Sequence, residues 1–134
     1  MKKNKLQIIM LIMVLTFVSL ACGFSTTTAN IKDAYLTTDE AGTEKTTVYS
    51  QDAVFYCIAH LANAPSDTVL KAVWTAVDAK DTEPNFKIDD VSVTTGDAPV
   101  TFSLPNDSLW PTGKYKVELF INDKLSKTLE FEVQ

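Results

Sequence analysis

The chain has 134 residues, 46% of them hydrophobic, and its 12 basic residues, all lysine, are outnumbered by 17 Asp and Glu for a net charge of −5. That balance argues against a nucleic-acid binder, which needs clustered cations to release counterions from phosphates, and without arginine there is no bidentate fork for phosphate or carboxylate. Two cysteines, Cys22 and Cys57, are too few for a disulfide-stapled scaffold, so a hydrophobic core must carry the stability.

The N-terminus reads first. Lys2, Lys3 and Lys5 precede a run over 6–20 that has no charge and only Gln7, Thr16 and Ser19 as polar members. A basic start, a short apolar core and a small residue near its end form the layout of a secretory signal. A membrane-crossing helix needs about 20 apolar residues; this run is short, and an uncleaved, tilted signal anchor is the alternative. Val18-Ser19-Leu20-Ala21-Cys22 resembles the lipobox of bacterial lipoprotein signals, with Ser19 standing where Leu is usual. The resemblance implies that a diacylglycerol joins the Cys22 sulfur and that the signal peptide, residues 1–21, is cut away. Cys22 then becomes the first residue, with the protein held on a cell membrane or outer membrane and facing the periplasm or the exterior. Several acyl chains anchor stably where a single one holds only marginally. Residues 22–30 follow as lipidated cysteine and Ser/Thr-rich flexible tether. Of the 12 lysines, three leave with the signal, so the mature chain sets 9 against 17 acids. Such a surface keeps an exported domain soluble.

Beyond the tether, residues 31–134 show no helical period of useful length. Apolar residues recur at every second position in short runs broken by Gly, Pro, Asn and Asp, the pattern of a β-sandwich or barrel. Strands are predicted over 31–38, 44–49 and 53–62, the last with Phe55, Cys57, Ala59 and Leu61 on one face. A strand over 68–77 carries Leu70, Ala72, Trp74 and Ala76 on one face, and 78–85 reads as a polar loop. Strands over 86–94 and 99–104 follow, then a connection over 105–113 containing Trp110-Pro111. In the last hairpin Tyr115, Val117, Leu119 and Ile121 face Leu125, Leu129, Phe131 and Val133. A three-residue loop, Asn122-Asp123-Lys124, sets Val117 opposite Leu129, Tyr115 opposite Phe131, and two ion pairs, Lys116–Glu130 and Lys114–Glu132, on the outer face. A two-residue turn spoils both faces unless a bulge restores them.

Cys57, Trp74 and Tyr115-Lys116-Val117 resemble the immunoglobulin-like signature: a Cys on the second strand, a core Trp on the third, and Tyr-x-Cys on the sixth. Val117 replaces the second Cys, as in disulfide-free sandwiches such as fibronectin type III modules. The resemblance implies an all-β, immunoglobulin-like sandwich of about seven or eight antiparallel strands behind an N-terminal signal helix. It also implies a Tyr115 hydroxyl reaching back to the preceding connection. It carries no function.

Few residues offer chemistry. Cys57 reads as a small core residue. His60 lies three positions on, and on a strand that spacing puts the two on opposite faces, against a shared metal. No nucleophile, base and orienting group assemble, so neither catalysis nor a cofactor is expected. Acidic loop segments, Asp39-Glu40 with Glu44, Asp78 with Asp81 and Glu83, and Asp89-Asp90, are the material for a calcium site, without EF-hand spacing. Tyr56, Ile58 and Phe120 sit on the outward faces of their strands. They form a candidate partner surface if the strands are neighbours, unless a loop, the tether or the 105–113 connection covers them. On that expectation Ile58→Asp abolishes partner capture and leaves the fold intact. The function class that fits is a membrane-anchored protein-binding or assembly module, with a small-ligand or Ca2+ binder as the alternative and an enzyme third.

Overall fold

Alternating apolar residues give each strand one face that must leave water, and two such sheets satisfy each other face to face. The computed structural model describes residues 28–134; the signal peptide and Cys22 lie outside the described residues. One sheet is built from β1 (Asn30–Thr37), β3 (Phe55–Ala62) and β6 (Val100–Leu104), in the order β1-β3-β6. The other holds β2 (Val48–Tyr49), β4 (Thr68–Ala79), β5 (Phe86–Thr95), β7 (Gly113–Ile121) and β8 (Lys124–Val133), in the order β2-β8-β7-β4-β5. Every pairing is antiparallel except the short parallel contact of β2 with β8. No helix occurs among the described residues.

The chain changes sheets between β1 and β2. Thr46 N–H donates to the Leu36 carbonyl, and Glu132 N–H then donates to Thr47 and Gln134 N–H to Tyr49. This crossover closes the side of the sandwich where β1 lies against β8. The core between the sheets takes Leu36, Phe55 and Cys57 from one and Leu70, Trp74 and Phe131 from the other, all buried.

Two local expectations are corrected. The strand predicted to end at residue 77 runs on to Ala79, because a bulge at Val77 restores its pairing with β7. The last hairpin turns on two residues, Asn122 and Asp123, both with positive φ (47° and 66°), the geometry of a type I′ turn. Ile121 therefore pairs with Lys124 and Phe120 with Leu125, and a register shift after Leu119 recovers Val117 opposite Leu129 and Tyr115 opposite Phe131. The two expected ion pairs are in register but do not form among the described residues. Lys116 instead meets Glu118 on its own strand at 3.1 Å.

Candidate functional site

Cys57, Trp74 and Val117 are fully buried between the sheets, with Val117 paired to Trp74. Tyr115 is buried beside them and donates its hydroxyl to the Pro111 carbonyl at 2.6 Å, pinning the 105–113 connection to β7. Trp110 closes that end, its indole N–H donating to the Ala53 carbonyl at 2.8 Å. The Trp74 indole N–H is buried and has no hydrogen-bond partner among the described residues; it lies among aromatic rings that include Phe131 at 6.1 Å.

Burial pushes the Cys57 thiol up from its ordinary value of 9.0 to about 12. The native state therefore keeps a proton that the unfolded chain releases. This contribution is complete below pH 9 and is lost as pH rises towards 12. Mass-mapped alkylation at neutral pH should label Cys57 only through unfolding, at least about a thousandfold more slowly than in denaturant. Labelling of the folded chain at the denatured rate would mean an exposed thiolate. His60 leaves β3 on the face opposite Cys57 and stacks on Tyr35 at 6.2 Å, so no thiolate–imidazole pair exists here.

The three residues of the candidate partner surface do not share a face. Tyr56 and Ile58 lie on β3 in the three-stranded sheet, whereas Phe120 lies on β7 in the five-stranded sheet. Each points outward, so they emerge on opposite sides of the sandwich. Ile58 is also only 5% exposed. The 39–44 loop folds over it, and at Gly42 (φ +76°) the backbone comes so near that a Cβ would strike Ile58 Cδ1.

Asp39 fixes that loop. Its carboxylate accepts the N–H of Glu44 at 2.9 Å and of Thr43 at 3.0 Å, and the Thr43 hydroxyl at 2.8 Å. These bonds, Glu44 first and then Thr43, hold the Asp39 carboxyl below the usual carboxylate range. Ile58→Asp accordingly buries a charge beneath a closed loop and tests the fold, contrary to the expectation from sequence.

Phe120 sits in a different setting. Its neighbours on the outer face are Lys71, whose Nζ lies 4.9 Å from the ring centroid, and Leu125, its partner in register. Lys71 also reaches Asp123 at 3.6 Å. Leu125 and Val69, the latter two positions before Lys71 on the same outer face of β4, are exposed, and Phe120 itself is half-buried. Nothing in the alternation of β7 pointed to Val69 or Leu125 as its companions; their proximity depends on the order of strands in the sheet.

The acidic segments do not converge. Among the described residues no three His, Cys, Asp or Glu side chains gather around a common point. Asp90 pairs with Lys87 at 2.6 Å, which lowers its pKa, and Asp39 is engaged within its own loop. A shallow cleft of about 390 Å3 beside β2 and β8 is lined by Val48, Val77, Lys114, Glu130 and Glu132, without a nucleophile and base in contact.

No protein-family model matches the chain, and no curated protein does. Solved structures do. An immunoglobulin-like protein from Pseudomonas aeruginosa superposes with a TM-score of 0.54 at 16% identity, over 79% of this chain and 96% of that one. An alkylpurine DNA glycosylase from Pseudomonas fluorescens, bound to DNA containing an abasic site analogue, gives 0.53 at 18% identity over 79% of this chain. The chain spans 30% of that enzyme's length. A β-glucosidase from Listeria innocua is more distant, at a TM-score of 0.49 and 15% identity. Likeness at these identities shows a fold shared by unlike proteins and no activity: residues 28–134 form an immunoglobulin-like β-sandwich.

Proposed function

We propose that the chain is a lipid-anchored, extracytoplasmic immunoglobulin-like module that holds a partner protein at the bacterial cell envelope and catalyses no reaction. The lipobox-like run ending at Cys22 supports the address. The observation that carries the binding role is the outer face of the five-stranded sheet. There Val69, Phe120 and Leu125 form an apolar centre with the ion pair of Lys71 and Asp123 at its rim. An apolar centre with a charged rim is the anatomy of a protein interface. Phe120 takes over the role that the sequence divided among Tyr56, Ile58 and Phe120, because the 39–44 loop covers Ile58. No observation favours the calcium reading over this one.

Native mass spectrometry of the protein, extracted in mild detergent from its own membrane, tests both parts. The expected mass begins at Cys22 and includes acyl chains, and Cys22→Ser is expected to remain unacylated. A mass beginning at Met1 would replace the lipid anchor with a signal anchor. Phe120→Asp is expected to weaken retention of a co-eluting protein by tenfold or more, the size of an interface hot spot, while the melting temperature moves little. Undiminished retention would remove this face from the proposal.

A further inference from the structure

The four sheet edges are not equally defended. An exposed edge strand invites another chain to pair with it, and proteins blunt such edges with charges, bulges or covers. β1 carries a bulge between Ile31 and Asp33, charges at Lys32 and Asp33, and the 44–46 segment paired along its second half. β2 caps one end of β8, and the remainder of β8 carries Lys124 and Lys127. β5 has a bulge opposite Trp74 and the charges of Lys87, Asp89 and Asp90. β6 has none of these. Val100–Leu104 contains no charge and pairs with β3 through five successive positions without a shift. Among the described residues its other edge pairs with no strand.

A second feature lies across from that edge. Phe86 and Val91 of β5 pair with Ala76 and Ala72, which are buried, so their side chains leave β5 towards the core side of the sheet. They are nevertheless 49% and 39% exposed. Among the described residues the three-stranded sheet ends at β6, which touches β5 yet leaves these two side chains exposed. Asp89, paired with buried Trp74, stands on the same side and is also exposed.

We propose that the free edge of β6 accepts an extended, cationic segment of a partner polypeptide, which adds a fourth strand to the three-stranded sheet and covers Phe86 and Val91. Main-chain bonds to β6 supply affinity without sequence demand, and alternate side chains facing β5 supply the selection. Apolar residues meet Phe86 and Val91, and a Lys or Arg meets Asp89. Charge argues against pairing with the β6 edge of a second copy, since β6 brings no cation to Asp89 and the chain carries a net charge of −5. Pro99 and Pro105 bound the edge and limit the main-chain contact to the five residues of β6. This docking edge is separate from the Phe120 face and from lipidation, so either proposal can fail alone.

The test uses detergent-extracted protein and two short synthetic peptides of alternating Val and Thr, one with a central Lys and one with a central Glu. The Lys peptide is expected to slow amide hydrogen exchange across Val100–Leu104 and to bind about tenfold more tightly than the Glu peptide. Asp89→Lys, at an exposed position, is expected to reverse that order. Phe86→Ala is expected to weaken both peptides by about tenfold. Equal binding of the two peptides, or exchange that slows at β5 or β8 and not at β6, overturns the proposal. So does a concentration-dependent dimer that protects β6 with no peptide present.

Discussion

Replacing Phe55 with Ala is expected to cost about 3–5 kcal/mol, the range for removing a large aromatic from a core that collapses only in part. Phe55 is fully buried. Its ring centroid lies 4.7 Å from that of Trp110, 4.8 Å from Tyr49 and Phe131, 5.8 Å from Tyr115 and 6.2 Å from Trp74. Those partners come from β2, β4, β7, β8 and the 105–113 connection, so one side chain ties the three-stranded sheet to nearly every element opposite it. A domain of this size has a total stability of about 5–15 kcal/mol. Each kcal/mol is worth roughly 4–8 °C, so the melting temperature should drop by about 12–40 °C. Phe55→Leu keeps most of the volume and should lose about half as much. Calorimetry on both variants decides it: a Phe55→Ala loss of about 1 kcal/mol or less would mean the cluster repacks around the gap, and Phe55 would not be its centre.

Much of this architecture was legible because strand alternation carries burial directly. Phe55, Cys57, Ala59 and Leu61 are buried and Tyr115, Val117, Leu119 and Ile121 face inward, as their period of two requires. The register of Val117 with Leu129 followed from the need to keep both inner faces apolar. The same logic failed at the turn. The type I′ geometry of Asn122-Asp123 and a compensating bulge keep Val117 and Tyr115 inward as the longer loop does, at the expense of turning Leu125 to the outer face, and alternation cannot choose between them. Ion pairing was less legible still. Lys116 and Glu130 stand opposite, yet Lys116 binds Glu118, two residues along the same face, which the register alone does not rank.

The three residues of the candidate surface part company for a deeper reason. Alternation says that Ile58 and Phe120 point away from the core, but not that they leave through different sheets. Which sheet a strand joins is set by long-range pairing, and Ile58 is covered through contacts within a loop. The carboxylate of Asp39 gathers the Thr43 and Glu44 amides, and the resulting turn lies across β3. Asp39-Glu40 read as possible calcium ligands when its carboxylate serves to build the lid over Ile58. The exposed side of β5 was hidden for a related reason. Phe86 and Val91 fit a half-buried strand, and their exposure arises because the facing sheet has three strands where five lie opposite.

Gly113→Ala should be nearly as damaging as Phe55→Ala, through the backbone and not through the core. Gly113 opens β7 with φ +146°, a region that side-chain-bearing residues rarely enter. It pairs with Ala79, and the strands approach so closely that a Cβ would meet the Asp78 carbonyl oxygen and lie 2.6 Å from Ala79 Cα. Neither atom can rotate aside. Relief requires the start of β7 to move away from β4, and two residues on Tyr115 holds Pro111 through its hydroxyl, so that bond and the closing Trp110 move as well. Backbone strain of about 1–3 kcal/mol and a steric term of about 1–3 kcal/mol both contribute, and a total of about 2–6 kcal/mol is expected.

Gly42→Ala supplies the internal control. It too has positive φ, but its new Cβ would strike Ile58 Cδ1, the far end of a side chain that can change rotamer. Its cost should be smaller, about 1–2 kcal/mol, dominated by strain at one exposed turn. Urea denaturation of the two variants gives the ranking. If Gly42→Ala proves the more harmful, the lid over Ile58 is the more rigid element, and the close approach of β7 to β4 at Asp78 is not what limits the fold.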